Sequence, residues 1–155
     1  MKRIFMESPL GKMNAEFISG ELVSLAFSKE GEIELQELPL EFENLRAQLE
    51  EYFEGYRTTF DIPTNPQGTD FQKRVWEMLQ EIDFNTTCSY QDLAERYGDV
   101  KAIRAIASAN GSNPIAILIP CHRVVGSDGS LTGYAGGLWR KEFLLDLESG
   151  VQRLF

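Results

Sequence analysis

Apolar and polar residues alternate along the first 30 positions and recur at helical spacing after about position 40. Residues 13–18 and 22–27 are two such runs on either side of Ser19-Gly20-Glu21, and glycine with polar neighbours between them predicts a β-hairpin. Residues 4–7 add a candidate strand. From 42 to 56, Leu45, Leu49, Tyr52 and Phe53 fall at i, i+4, i+7 and i+8, one face of an amphipathic helix with Gly55 as its stop. Residues 62–68 hold two prolines and a glycine. Those residues break helix and ladder alike, which predicts a linker and divides the chain into domains at 1–65 and 66–155.

Beyond the linker the pattern is helical. Thr69 with Gln72 has capping-box spacing, and Phe71, Val75, Met78, Leu79 and Ile82 follow as an apolar stripe. Ser89 with Asp92 opens a second short helix over 90–97, and Gly98-Asp99 separates it from a helix over 100–110. Two short helices joined by a glycine turn outline a helix-turn-helix, although many helical hairpins contact only their own core. The second helix is slim, with Ala102, Ala105, Ala107, Ser108, Ala109 and Gly111. Such a helix suits either tight packing or close approach to a duplex with Arg104 projecting, and composition leaves both open. A buried strand-like run over 115–119 leads to a glycine-dense stretch over 126–137. A last helix over 138–148 carries Phe143, Leu144 and Leu147 inward.

With 43% apolar and 25% charged residues, the 155-residue chain is an ordinary globular protein rather than a disordered or collagen-like one. Its longest hydrophobic run, 115–119, is far short of the roughly 20 residues that span a bilayer. Residues 1–7 lack a secretory apolar core. The expectation is a cytoplasmic, monomeric protein without a membrane partner and with reduced thiols. The net charge of −9 argues against nucleic acid when taken alone. Its distribution changes the picture: 6 basic and 13 acidic residues stand through Asn65, and 9 and 11 thereafter. Between 100 and 125, Lys101, Arg104 and Arg123 stand with no acidic residue, the outline of a local basic face.

Candidate chemistry centres on Cys121 and His122. Pro120 fixes the backbone before Cys121 and supplies no amide hydrogen. A thiolate is the reactive form of cysteine, and a neighbouring base lowers the cost of making it. The structural reading is a small buried cysteine beside a satisfied core histidine, and an arbitrary Cys-His pair is more often that. Because adjacent side chains diverge, His122 acting as a base would work through a water. Glu148 could orient the imidazole, although a surface carboxylate is the default for such a glutamate. Gly133-Tyr134-Ala135-Gly136-Gly137 leaves backbone amides around one aromatic ring, a wall for a flat ligand, without the Lys-Ser/Thr ending of a phosphate loop. Two cysteines and one histidine cannot assemble the four ligands of a structural zinc site.

Pro120-Cys121-His122-Arg123-Val124, preceded by Asn113-Pro114 and followed by Gly133-Tyr134-Ala135-Gly136-Gly137 and Lys141, resembles the O6-alkylguanine-DNA alkyltransferases. Phe71-Gln72, Val75-Trp76, Ser89-Tyr90, Leu93-Ala94 and Arg104-Ala105 add to the match, and Leu49, Tyr52-Phe53 and Gly55 fit more loosely. The resemblance implies an amino-terminal α/β domain with a ribonuclease H-like sheet and a mainly helical carboxy-terminal domain with a helix-turn-helix. It implies DNA repair by one irreversible transfer of an alkyl group from O6-alkylguanine, with O4-alkylthymine as a further candidate, and no cofactor or metal. Cys121 would face the pocket as nucleophile, with His122 as base through water, Glu148 orienting it and Asn113 bracing the loop. Tyr90 and Arg104 would contact double-stranded DNA in the minor groove and flip the base, and Arg123, from the basic segment, is a further candidate for DNA binding. Tyr90, Val124, Tyr134, Ala135 and Lys141 would line the pocket, with the carbonyls of Cys121 and Val124 receiving the exocyclic amine.

Three departures from the family pattern bear on DNA. Asp83-Phe84-Asn85 stands where Pro-Tyr-Gly is common, and Asn85 tolerates left-handed backbone. Val100 replaces a frequent proline, and Ala107 a frequent glycine. The runner-up reading is a protein that binds the lesion without transfer, whose usual members lack the cysteine retained here. A Cys-His hydrolase is a third and weaker one, since nothing outside the matched motif suggests an acyl substrate.

Overall fold

A computed structural model describes residues 2–28 and 39–150. It forms two compact units, one of residues 1–67 with 114–116, the other of 68–113 with 117–155.

In the first unit, β1 (Lys2–Ser8), β2 (Gly11–Ile18) and β3 (Glu21–Phe27) make an antiparallel sheet in the order β1-β2-β3. Ser19 and Gly20 both have positive φ, 52° and 82°. That two-residue geometry has the twist of the strands it joins, so the expected hairpin forms. Met13, Ala15 and Phe17 of β2 are buried, as alternation requires. Helix α1 (Leu40–Phe53) buries Phe42, Leu45, Leu49 and Tyr52, and Phe42 meets Phe17 edge to face with ring centroids 4.8 Å apart. Phe53, expected in the stripe, is only half-buried. Phe42, three residues before Leu45, completes the face instead. Gly55, at φ 86°, takes the left-handed conformation that stops the helix.

Two expectations are modified, each for its own reason. The predicted linker is partly paired: Leu22 N–H donates to the Pro63 carbonyl at 2.8 Å, and Asn65 N–H to the Leu22 carbonyl at 2.8 Å. Proline lacks a donor but keeps its acceptor, so it can lie against a strand edge. The predicted strand over 115–119 shrinks to one bridge, with Leu25 N–H donating to Pro114 and Ala116 N–H to Leu25, both at 2.9 Å. The chain then turns, and Ile117 sits at φ 71°. A β-branched residue pays roughly 1–3 kcal/mol for that conformation, which only surrounding structure can impose. A short, wholly apolar run carries no period, so strand and turn read alike.

In the second unit both capping boxes form. Thr69 and Gln72 bond reciprocally at 3.1 and 2.9 Å ahead of α2 (Asp70–Gln80). Ser89 and Asp92 do so at 3.0 Å ahead of α3 (Tyr90–Tyr97). Gly68 has no substitute, because a Cβ there would stand 2.6 Å from the Trp76 ring. Trp76 Nε1 donates to the Ala109 carbonyl at 2.8 Å, tying α2 to α4 (Ile103–Gly111). The helix expected over 100–110 opens with a 3₁₀ turn, Val100–Ala102, because Asp99 caps the Lys101 amide. Strands β4 (Cys88–Ser89) and β5 (Val124–Val125) pair in parallel, and α5 (Leu138–Ser149) closes the unit.

The slim helix packs tightly on one face and leaves the other exposed. Ala109 is buried at the α2 contact, whereas Lys101, Arg104, Ala105, Ser108 and Gly111 are exposed. Its outer face therefore lets another surface come close to backbone, with Arg104 as the projecting side chain.

Candidate active site

Cys121 opens a 3₁₀ turn, Cys121–Arg123, immediately before β5. The Ile119 carbonyl is gripped twice: Cys121 N–H donates to it at 2.8 Å and Asn113 Nδ2 at 2.7 Å. Asn113 thus braces the segment that carries the thiol. Only 7% of Cys121 is exposed, so any reaction partner has to be delivered into this loop rather than met at the surface. Burial pushes the thiol pKa up, while a hydrogen bond from Asn113 and the charge of Lys141 pull it back. A neutral thiol of this kind needs a proton acceptor before it can attack.

His122, the next residue, is wholly buried. Its Nε2 lies 2.7 Å from Glu148 Oε2, and its Nδ1 is buried without a partner among the described residues. A core histidine kept for packing would have both nitrogens satisfied. Burial drives the imidazole pKa down and Glu148 opposes this, while Arg123 and Lys141 add to the lowering. The imidazole is therefore biased toward its neutral, proton-accepting form. Glu148, only 3% exposed, is no surface carboxylate.

Arg123 corrects an expectation. It was expected at DNA, but it is 7% exposed and its Nε and Nη2 bond Glu148 Oε1 and Oε2 at 2.8 and 3.0 Å. Its Nη1 donates to the Ile82 carbonyl at 2.6 Å, and its guanidinium lies 5.9 Å from the centre of the Phe84 ring. A buried arginine persists only where a carboxylate neutralises it, and Glu148 does so from 25 residues away.

Lys141 is also wholly buried and donates to the carbonyls of Val124 and Thr132 at 2.5 and 2.7 Å. The Val124 carbonyl, expected to receive a guanine amine, thus already carries an ammonium donor on one of its lone pairs. Burial drives the Lys141 pKa down, and the Cys121 charge works against that. Tyr134 is held protonated, first by burial and then by repulsion from Cys121, with Arg140 opposing. A Cys121 thiolate would therefore act electrostatically on both Lys141 and Tyr134.

Tyr90 begins α3, half-buried, directly after Ser89, which pairs with Val125. This places it next to the strand that follows the cysteine turn. Ala135 is exposed in its loop, and Arg104 is exposed on α4. Sequence reasoning did not anticipate the Ile82 carbonyl, the Asn85 amide on Glu148 Oε1 at 3.3 Å, or the Thr132 carbonyl. All three are backbone groups, so no residue type announces them. Asn85 does adopt the left-handed turn expected of it, at φ 60°. No group of three or more His, Cys, Asp or Glu among the described residues could hold a metal ion. None of the described helices is long and apolar enough to cross a membrane.

Comparison with known proteins gives a consistent picture. Residues 70–150 match the 6-O-methylguanine DNA methyltransferase DNA binding domain, and residues 1–66 match the ribonuclease-like domain of the same proteins. The methylated-DNA–protein-cysteine methyltransferase of Methanosarcina barkeri is 54% identical over 112 residues, 72% of this chain and 71% of that protein. The one of Mycolicibacterium paratuberculosis is 52% identical over 112 residues, 72% and 68% of the two chains. Mycobacterium tuberculosis OGT, solved in complex with DNA, superposes with a TM-score of 0.87 at 40% identity, covering 96% of this chain and 93% of that one. An O6-methylguanine DNA methyltransferase from Methanococcus jannaschii superposes with a TM-score of 0.70 at 26% identity, covering 98% and 96%.

Proposed function

Because the chain belongs to the 6-O-methylguanine DNA methyltransferase family, we propose that Cys121 is the thiol that receives the alkyl group. The protein is a DNA-repair methyltransferase that moves an alkyl group from DNA to one of its own cysteines, and DNA is its partner. The observation that carries the assignment of residues is a buried thiol followed in sequence by an imidazole that is anchored through Nε2 and open at Nδ1.

The reaction is one displacement. The Cys121 sulfur forms a bond to the alkyl carbon of O6-alkylguanine as the carbon–O6 bond breaks, and that electron pair leaves with guanine. His122 Nδ1 takes the thiol proton through a water, guanine gains one proton, and the products are a thioether and an unmodified guanine still in the DNA strand. Asn113 and Lys141 favour the thiolate, and the protonated Tyr134 hydroxyl donates to the departing oxygen. The thioether is not cleaved again, so each chain acts once.

An atom inside a stacked duplex is reached by extruding its nucleotide, at a few kcal/mol of unstacking. Arg104, on the open face of α4, fills the gap from the minor groove, as wedge residues do. Tyr90 crowds the phosphate and turns the nucleotide, and Ala135 lines the pocket. A thiol that must stay reduced until used suits the cytoplasm.

The test is intact mass after incubation with O6-methylguanine duplex. Wild type gains one methyl group and Cys121→Ser gains none, whereas Cys88→Ser still gains it. Repaired DNA with unmodified protein would sink the proposal. Tight lesion binding without mass gain would instead identify a lesion-binding protein.

A further inference from the structure

We infer that Arg123 is a positioning residue for the transfer: by clamping Glu148 as a carboxylate it holds His122 in the tautomer whose Nδ1 can accept a proton. The inference rests on the reading of Cys121 as acceptor and extends it to a side chain that acts through Glu148.

The argument is one of donors and acceptors. Glu148 Oε1 accepts from Arg123 Nε at 2.8 Å and from the Asn85 amide at 3.3 Å. Its Oε2 accepts from Arg123 Nη2 at 3.0 Å and meets His122 Nε2 at 2.7 Å. An ionised carboxylate only accepts, and arginine and backbone N–H only donate. A proton on Oε1 would therefore face a donor, and a proton on Oε2 could only be shared with His122 Nε2, which would leave the buried Arg123 charge without its anion. With Glu148 ionised, the contact to His122 requires hydrogen on Nε2, and neutral imidazole then has its lone pair on Nδ1. The clamp is stiff, because Nη1 is fixed on the Ile82 carbonyl at 2.6 Å and Phe84 lies under the guanidinium. The turn over 82–85 thus supplies an acceptor, a ring and an amide to one ion pair.

Charge balance gives the second half. The charged groups acting on His122 are Glu148 and Lys141 from α5 and Arg123 from its own turn. Removing the Arg123 charge leaves Glu148 less compensated, so the His122–Glu148 pair binds a proton more tightly. The imidazole then becomes an imidazolium, which cannot serve as the base.

His122 is the only histidine in the chain, so its ring gives one unambiguous set of imidazole signals in NMR. In full-length R123Q the imidazole should titrate at least about one pH unit above wild type, tenfold in proton affinity. The acid limb of the alkyl-transfer rate, read by mass gain against pH, should move up by the same amount, so that raising the pH recovers rate. R123K, which lacks the forked geometry, should fall between the two and decides the matter if R123Q does not fold. An unchanged imidazole titration in a folded variant, or a rate lowered equally at every pH, would overturn the inference. The NMR titration needs no transfer. A wild-type protein that gains no alkyl mass would therefore count against Cys121 as acceptor, not against the clamp.

Discussion

Lys141 illustrates how much a single side chain can control when it is taken out of water. Its ammonium has no exposed surface and satisfies two carbonyls, one on the strand after the cysteine turn and one in the glycine-rich loop. Lys141→Met should leave both carbonyls short of a donor at a cost of about 2 kcal/mol, roughly 4–8 °C in Tm for a chain of this length. It should also slow the reaction of Cys121 with a small thiol reagent, because the cation that favours the thiolate is gone. An unchanged Tm and thiol reactivity would show Lys141 to be a bystander. The residue types at the centre were legible from sequence: cysteine, histidine, glutamate, asparagine and lysine all fall where the motif suggests. Arg123 was misread, because a cation in a segment without acidic residues looks exposed until its carboxylate, 25 positions away, is brought to it.

At the scale of elements, the ends of helices were the most legible features. The reciprocal bonds of Ser89 and Asp92 place Tyr90 at the first position of α3. Bonds to Ser89 hold the Asp92 carboxyl below its ordinary pKa, so it remains a capping anion at mildly acidic pH. Ser89→Ala should cost about 1 kcal/mol, roughly 2–4 °C in Tm. It should lower transfer from duplex DNA more than transfer from free O6-alkylguanine base, since only a nucleotide in DNA has to be turned by Tyr90. Equal losses on both substrates would remove Tyr90 from that role. The run over 115–119 was illegible for the opposite reason: nothing local distinguishes its strand-like apolar residues from a turn, and Ile117 takes a conformation that its own side chain disfavours.

Across the whole molecule, the −9 charge sets a limit on DNA affinity. With Arg123 withdrawn into the interior, the exposed cations of the helix-turn-helix segment are Arg96, Lys101 and Arg104. If each meets one phosphate, the slope of log affinity against log salt is about −2.7, roughly a 40-fold loss between 50 and 200 mM salt. Lys101→Gln should flatten that slope by about one. A salt-independent affinity would mean that phosphate contacts do not carry the binding.

Features specified by neighbouring residues lie within a few positions of their cause. The Ser19-Gly20 turn, the two capping boxes, the left-handed Gly55 and Asn85, and the bounds of α3 all follow from neighbours in the chain. Long-range packing set where charge is buried. Glu148 takes its partners from 63, 26 and 25 positions away. A carboxylate has no preferred protonation state or direction of its own in an interior. The donors that packing gathers around it choose both, and through them the state of the one histidine beside the thiol.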